Sequence, residues 1–148
     1  MSNHLSNALQ TLVVCRIGAQ DYALPLDATL RIVRLPTLTV LPDHRPEVCG
    51  LLNLSGCYLP VLDGRRLVGE SVRYDLNSQI VIIGAVPESA ETPALGLLVD
   101  EVYGLAHQPA TTHLLQTDYA GRLFLGVVHL DQRSCPVFDV AELRRIVT

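Results

Sequence analysis

The sequence predicts an all-β fold made of two similar halves, and three observations support that class. Short apolar runs rich in Val, Ile and Leu recur along the chain, most of them bounded by Gly, Pro, Asp, Asn or Ser. A gapless internal match relates two distant segments, and only one segment has clear helical spacing. Many short strands separated by turn residues are typical of sandwiches and barrels rather than of alternating helices and parallel strands.

The apolar runs give the expected strands in chain order. They lie at 12–17, 22–26, 30–33, 38–41, 51–54, 59–62, 80–86, 94–99, 123–130 and 135–138. The segment that follows has a different pattern. Asp139 with Glu142 resembles a capping box, and Val140, Leu143 and Ile146 keep helical spacing. A short helix is therefore expected to close the chain.

The internal match relates residues 50–63 to residues 126–139. Each segment has a glycine, an apolar pair, a polar residue, a leucine and a polar turn, followed by Pro-Val-apolar-Asp. A leucine follows four residues later in both, at Leu67 and Leu143. The pattern predicts a strand, a turn, a second strand and a short helical cap, formed twice.

A weaker match relates residues 23–27 to 96–100, at an offset of 73 residues against 76 for the longer match. Near-equal offsets indicate two related halves, at about 11–79 and 80–148, with the boundary near the polar stretch 70–79. The terminal strands of the two halves could be exchanged between them. A half of this size has a small core, so we expect the two halves to bury apolar surface against each other.

Composition excludes several function classes. Hydrophobic residues make up 49% of the chain and charged residues 18%, which indicates a globular protein. The net charge is −4 and all eleven basic residues are arginine, so a basic nucleic-acid-binding face is not expected. No signal-like or membrane-spanning apolar stretch is present, and the four cysteines have no zinc-like spacing. We expect a cytoplasmic protein with reduced thiols and no cofactor.

No catalytic or metal-binding constellation stands out. The nearest phosphate-loop pattern begins at Gly64, but Glu70 stands where a phosphate-binding lysine is needed. The five histidines are widely separated and match no metal-ligand spacing. Asp63 and Asp139 could be read as paired carboxylates for acid and base chemistry, but each precedes a helical turn, so helix capping is the favoured interpretation.

Several motifs together resemble the CheW-like family of bacterial chemosensory coupling proteins. They are the run 22–26, the approach from Pro42 and 46–50, the segments 50–56, 59–63 and 96–102, and the final segment 126–146. The resemblance covers about residues 11–147, so we expect one CheW-like domain over 11–148. It implies two five-stranded, SH3-like barrels around a shared hydrophobic centre, with the chain halves as barrel subdomains.

The resemblance also implies a non-catalytic adaptor between chemoreceptors and a CheA-type histidine kinase. One barrel would pair with the kinase regulatory domain, and the groove between barrels would take the helical tip of the receptor. Self-association or ring assembly stays open, and membrane contact would come through receptors only. The resemblance places partner contacts at six positions: Thr29, Arg31, Gly50, Asn53, Ser55 and Gly56.

Two positions depart from the family pattern. The family normally has arginine at the position of Ser55 and glutamate at the position of Arg31. Loss of a guanidinium removes bidentate pairing to a carboxylate, and the charge reversal rejects partners that supply a cation. We therefore expect altered partner specificity. The alternative function is a small-ligand sensor that uses the groove between the halves, for which a deep pocket with convergent polar groups would argue.

Overall fold

A computed structural model of the chain describes residues 9–34, 46–71, 73, 77–85, 92–109 and 122–148. It contains ten strands, two α-helices and a short 3₁₀ turn at Leu26–Ala28. The strands are β1 (Leu9–Ile17), β2 (Gln20–Pro25), β3 (Thr29–Arg34), β4 (Val48–Leu54), β5 (Cys57–Asp63), β6 (Gln79–Gly84), β7 (Pro93–Val99), β8 (Glu101–Pro109), β9 (Phe124–Leu130) and β10 (Arg133–Phe138). The helices are α1 (Gly64–Leu67) and α2 (Val140–Val147). The all-β class is confirmed, while the strand expected at 38–41 lies outside the described residues.

The strands form two five-stranded sheets. Sheet A has the order β8-β1-β2-β10-β9 and sheet B the order β3-β6-β7-β5-β4. Each sheet curves around its own apolar cluster, because side chains from both of its edge strands share that cluster. The described residues of the two edge strands are not paired with each other in either sheet, so the two five-stranded units that the resemblance implied are present as open, curved sheets rather than closed barrels.

A third and larger apolar cluster lies between the sheets. Alternate residues of β1 point into it from sheet A, and alternate residues of β6 and β7 point into it from sheet B. Tyr22, Phe124 and Phe138 stack together within it, with ring centroids 5.0–5.7 Å apart. The expected burial of apolar surface between two units is therefore present, and it supplies the main contact between the sheets.

The internal repeat is visible in the strand pairing. The units β1–β5 with α1 and β6–β10 with α2 correspond, but each sheet combines three strands of one unit with two of the other. The two sequence matches meet in equivalent parallel pairs, Val61 beside Gly96 and Val137 beside Ala23. Division of the chain near residue 79 into two subdomains stays a prediction, since both sheets draw strands from both sides of that point.

The helical caps that follow both hairpins begin as expected. Asp63 Oδ1 accepts hydrogen bonds from the backbone N–H groups of Arg65 and Arg66 at 3.0 and 3.3 Å. Asp139 Oδ1 accepts one from the Ala141 N–H at 3.1 Å. Both carboxylates therefore satisfy free donors at helix N-termini, as the capping interpretation predicted.

A buried carboxylate links the sheets at one end of the molecule. Asp100 Oδ1 accepts from Arg65 Nε at 2.9 Å, and Oδ2 accepts from Arg65 Nη2 at 2.6 Å. The same Oδ2 accepts from Arg16 Nη1 at 3.2 Å and from the Gly18 N–H at 2.9 Å. The hydrogen bonds with Asp100 raise the pKa of the Arg65 guanidinium. Because Arg16 and Gly18 belong to the β1–β2 hairpin and Arg65 to α1, the cluster holds sheet A against sheet B.

Candidate functional site

Four of the six predicted partner-binding residues lie on the β4–β5 hairpin. Ser55 and Gly56 form its two-residue loop, since Leu54 pairs with Cys57. Both loop residues have positive φ, 53° and 88°, as type I′ hairpin turns require. Asn53 Oδ1 accepts a hydrogen bond from the Gly56 N–H at 2.8 Å, which holds the turn.

The remaining hairpin position, Gly50, is buried beside a bulge in the β4–β5 register, so it has a structural role. The hairpin instead presents an aromatic side chain that the sequence prediction missed. Tyr58 lies directly opposite Asn53 and is 59% exposed. The sequence did contain a signal for this orientation. Side chains alternate between the two faces of a strand, so Tyr58 lies on the opposite face from Leu59 and Val61.

Thr29 and Arg31 lie on β3, which is the opposite edge of sheet B from β4. Thr29 is half-buried, and its Oγ1 donates to the Pro25 carbonyl oxygen at 3.2 Å. Arg31 is exposed and forms no ion pair with any described residue. The structure therefore divides the six predicted residues between two separate edges of one sheet.

Two further residues missed from the sequence lie at the rim of the shared core. Ile32 on β3 is directly opposite Val81, and Leu105 on β8 is directly opposite Val13. Val81 and Val13 both point into the cluster between the sheets, so Ile32 and Leu105 share that face. They are nevertheless 39% and 58% exposed, because each lies on an edge strand.

One contact brings the two edge strands together. Arg34, the last residue of β3, is directly opposite Gln79 on β6. Gln79 Oε1 accepts a hydrogen bond from the Val102 N–H at 2.7 Å, near the start of β8. The end of β3 therefore lies beside the start of β8, at the junction of the sheets.

β3 and β8 are also counterparts in the duplication. Arg31 opposes Ile82 as Gly104 opposes Val14, and each pair stands next to a register shift in its sheet. The 73-residue match thus continues through residues 29–34 and 102–107. It makes Leu105 the counterpart of Ile32, so the duplication supplies one exposed apolar side chain on each edge strand.

Metal ligands and buried thiols were the reactive groups to consider among the described residues. No group of three or more His, Cys, Asp or Glu side chains among them could hold a metal ion. Burial raises the pKa of the Cys135 thiol to about 12, and Asp21 adds to this shift. Burial also raises the pKa of Cys15. Such thiols stay protonated and unreactive. No helix in the described ranges has the length and apolar character required to cross a membrane.

Comparison with known proteins identifies the family. The sequence model of the CheW-like domain matches residues 11–147. The chain belongs to the CheW-like domain family. This confirms the resemblance read from the motifs. Proteins of this family are not enzymes, as the sequence analysis expected.

Individual relatives agree with this assignment. Over 101 residues the chain is 28% identical to chemotaxis protein CheW of Rhizobium meliloti, covering 68% of this chain and 63% of that protein. Over 121 residues it is 31% identical to protein PilI of Pseudomonas aeruginosa, covering 79% and 66%. The chain thus spans slightly less than two thirds of the length of both relatives.

A solved structure supports the fold. The scaffolding protein TtCheW from Thermoanaerobacter tengcongensis matches with a TM-score of 0.76 and 21% identity, over 88% of each chain. At this identity the likeness establishes the architecture of two packed five-stranded units. None of these comparisons supports the alternative of a small-ligand sensor.

Proposed function

We propose that this CheW-like protein is an adaptor that couples chemoreceptors to a CheA-type histidine kinase in the cytoplasm. The observation that carries the proposal is the rim of the shared core, where the duplicated edge strands expose Ile32 and Leu105. Family membership supplies the class of partner, and the names of the relatives include chemotaxis and scaffolding proteins.

The rim between β3 and β8 suits the helical tip of a receptor. Ile32 and Leu105 lie on the sheet faces that line the core between the sheets, so a helix placed here extends an existing apolar surface. A helix that docks into an apolar groove uses a few side chains on one face for most of its affinity. Gln79 and Arg34 supply polar groups at the end where the strands meet.

The β4–β5 hairpin suits the kinase regulatory domain. Its turn is fixed by the Asn53 to Gly56 hydrogen bond, so little conformational freedom is lost on binding. Tyr58 adds an exposed aromatic side chain, a residue type that is enriched among strongly contributing interface residues. Separate edges of sheet B allow both partners to be bound at once.

Arg31 and Ser55 adjust these contacts. Arg31 is an exposed cation that precedes Ile32 and lies on the other face of β3, so a partner that reaches around this edge strand with a carboxylate is favoured and one with a cation is rejected. Ser55 provides no guanidinium at the hairpin tip. Exchange of Ser55 to Arg together with Arg31 to Glu should increase affinity for a regulatory domain that fits the usual family pattern.

The test is titration calorimetry of the full chain with the receptor tip and the kinase regulatory domain of the same organism. Leu105→Ser and Ile32→Ser should each weaken receptor binding about tenfold, since truncation of a central apolar contact removes about 1.4 kcal/mol. Leu125→Ser is the matched control, because Leu125 is 42% exposed on β9, which is not part of the rim. Its affinity should equal that of the unchanged protein.

Kinase binding is tested with Tyr58→Ala, which should weaken it while receptor binding stays unchanged. Tyr58→Phe, which keeps the ring, should retain most of the affinity. If the unchanged protein binds neither partner, the adaptor function is wrong. If both partners bind but the rim and hairpin variants behave like the control, the proposed contact surfaces are wrong.

A further inference from the structure

Sheet A contains an open pocket, and of the residues that line it the proposed function uses only Leu105. Its volume is about 590 Å³, and it lies between β8 and the turn of the β9–β10 hairpin. Val14, Ala106 and Leu130 form its floor, and all three belong to the apolar cluster inside sheet A. The pocket therefore opens directly onto the interior of one sheet.

The duplication shows how the pocket arises. Val14 corresponds to Ile82 in sheet B, Gly104 to Arg31, and Ala106 to Val33. At every one of these positions the sheet A residue is the smaller of the two. A Cβ added at Gly104 would meet no atom of the described residues within 4 Å, so none of them fills the space beside this position. Small side chains therefore leave a pocket in sheet A, whereas larger side chains fill the equivalent space in sheet B.

The rim of the pocket carries charges that sheet B lacks. Asp21, Asp131 and Arg133 line it, and their counterparts by the repeat offsets are Ala94, Ser55 and Cys57. Arg133 Nη1 lies 3.7 Å from Asp21 Oδ2, so these two charges largely offset each other. Asp131 forms no ion pair with any described residue. It is the first residue of the two-residue turn between β9 and β10 and has a φ of 51°. The rim therefore has an excess negative charge.

We propose that this pocket receives an apolar side chain of a partner protein that is adjacent in sequence to a lysine or arginine. The apolar side chain covers Val14, Ala106 and Leu130, and the neighbouring cation pairs with Asp131. Tyr103, which is half exposed beside the pocket, adds an aromatic contact for the partner. The proposal rests on the pocket alone and does not depend on the adaptor function.

The probes are three blocked dipeptides, titrated into the ¹⁵N-labelled full chain and followed by amide chemical shifts. Acetyl-Leu-Arg-amide has both features, acetyl-Leu-Glu-amide reverses the charge, and acetyl-Ala-Arg-amide removes most of the apolar side chain. Acetyl-Leu-Arg-amide should give saturable shifts at Gly104, Ala106 and Leu130. The other two should bind about tenfold more weakly, since each lacks one of the two contacts.

Two variants separate the contacts. Asp131→Asn removes the charge but keeps a residue that tolerates positive φ, and it should make the arginine and glutamate peptides bind equally. Ala106→Val introduces the sheet B side chain into the floor and should abolish binding of both leucine peptides. Ala106→Ser is the matched control of nearly unchanged size and should bind like the unchanged protein. Thermal melts establish that each variant is folded.

Several results would overturn the proposal. These are the absence of saturable shifts at the pocket residues, equal binding of the three dipeptides, or shifts centred at Ile32 on β3. Equal binding of free leucine and the arginine dipeptide would instead indicate a small-ligand site, which also contradicts a protein partner.

Discussion

Replacement of Asp100 by asparagine should weaken the contact between the sheets. Asp100 accepts four hydrogen bonds, from two arginine side chains and from the Gly18 N–H. Asparagine keeps the shape of the side chain but loses its charge. Its NH₂ group would face the N–H donors that now bond to the carboxylate. Removal of one member of a buried charge pair costs about 3–5 kcal/mol. The side chains of Asp100 and Arg65 are 10% and 16% exposed, so we expect the lower end, about 3 kcal/mol.

Urea denaturation measures this loss. With a slope of about 2 kcal/mol per molar urea, a change of about 3 kcal/mol lowers the midpoint by about 1.5 M. Asp131→Asn is the matched control, since this exposed aspartate forms no ion pair with any described residue, and its effect should stay within about 0.5 kcal/mol.

A double-mutant cycle tests the cause. Arg65→Met alone leaves the Asp100 carboxylate with fewer partners, whereas Arg65→Met combined with Asp100→Asn leaves no orphaned charge between them. The double variant should therefore be destabilised by clearly less than the sum of the single variants. Additive losses, or an Asp100→Asn effect no larger than that of the control, would refute the view that this cluster joins the sheets.

Four further predictions concern individual side chains. Ser55→Asn creates an Asn-Gly pair, which type I′ loops prefer, and should raise the free energy of unfolding by about 0.5–1 kcal/mol. Urea titrations measure this change, and a lower free energy of unfolding would contradict the turn assignment. Gly64→Ala would place a Cβ 2.4 Å from the Leu98 carbonyl oxygen, so calorimetric melts should show a destabilisation of about 2 kcal/mol, and an unchanged melting temperature would disprove the close approach. At pH 8 the exposed Cys57 thiol should react rapidly with a disulfide reagent. Cys135 is buried and has a pKa raised to about 12, so it should react only after unfolding. Equal reaction rates would contradict the burial of Cys135. Because the thiol of Cys135 ionises more readily in the unfolded chain, its contribution to stability should be complete below about pH 9 and decline as the pH rises toward 12.

Local features of the fold could be predicted from the sequence because neighbouring residues determine them. The hairpin turn at Ser55 and Gly56 and the caps at Asp63 and Asp139 each depend on residue types within a few positions. The longer repeat was visible for the same reason, since it includes two of these local motifs. Together they were sufficient for the all-β class and for two related units.

The exchange of strands between units and the apolar rim depend on register, which the sequence does not display. The parallel pair of Val61 and Gly96 joins segments far apart in the chain, and no local pattern selects it. Likewise Ile32 and Leu105 become counterparts only when β3 and β8 are paired with their neighbours. Arg31 and Gly104 are too unlike for the shorter match to be followed that far by sequence alone.

The structure places only some of the predicted site residues together. Asn53, Ser55 and Gly56 share an exposed turn, while Gly50 is buried and Thr29 bonds to its own backbone segment. Which of these residues contact partners stays a prediction. Exposure separates the residues that can make such contacts from those that shape the backbone, and exposure follows from tertiary packing.

The arrangement of strands sets an order for folding during synthesis on the ribosome. All strands of sheet B lie between Thr29 and Val99, so this sheet can be completed while the C-terminal segment is still being translated. The β1–β2 hairpin is translated before sheet B, yet its partners β8 and β10 end at Pro109 and Phe138. Its apolar residues must therefore wait until β10 has been translated, which leaves the β1–β2 hairpin open to aggregation for longer than the strands of sheet B.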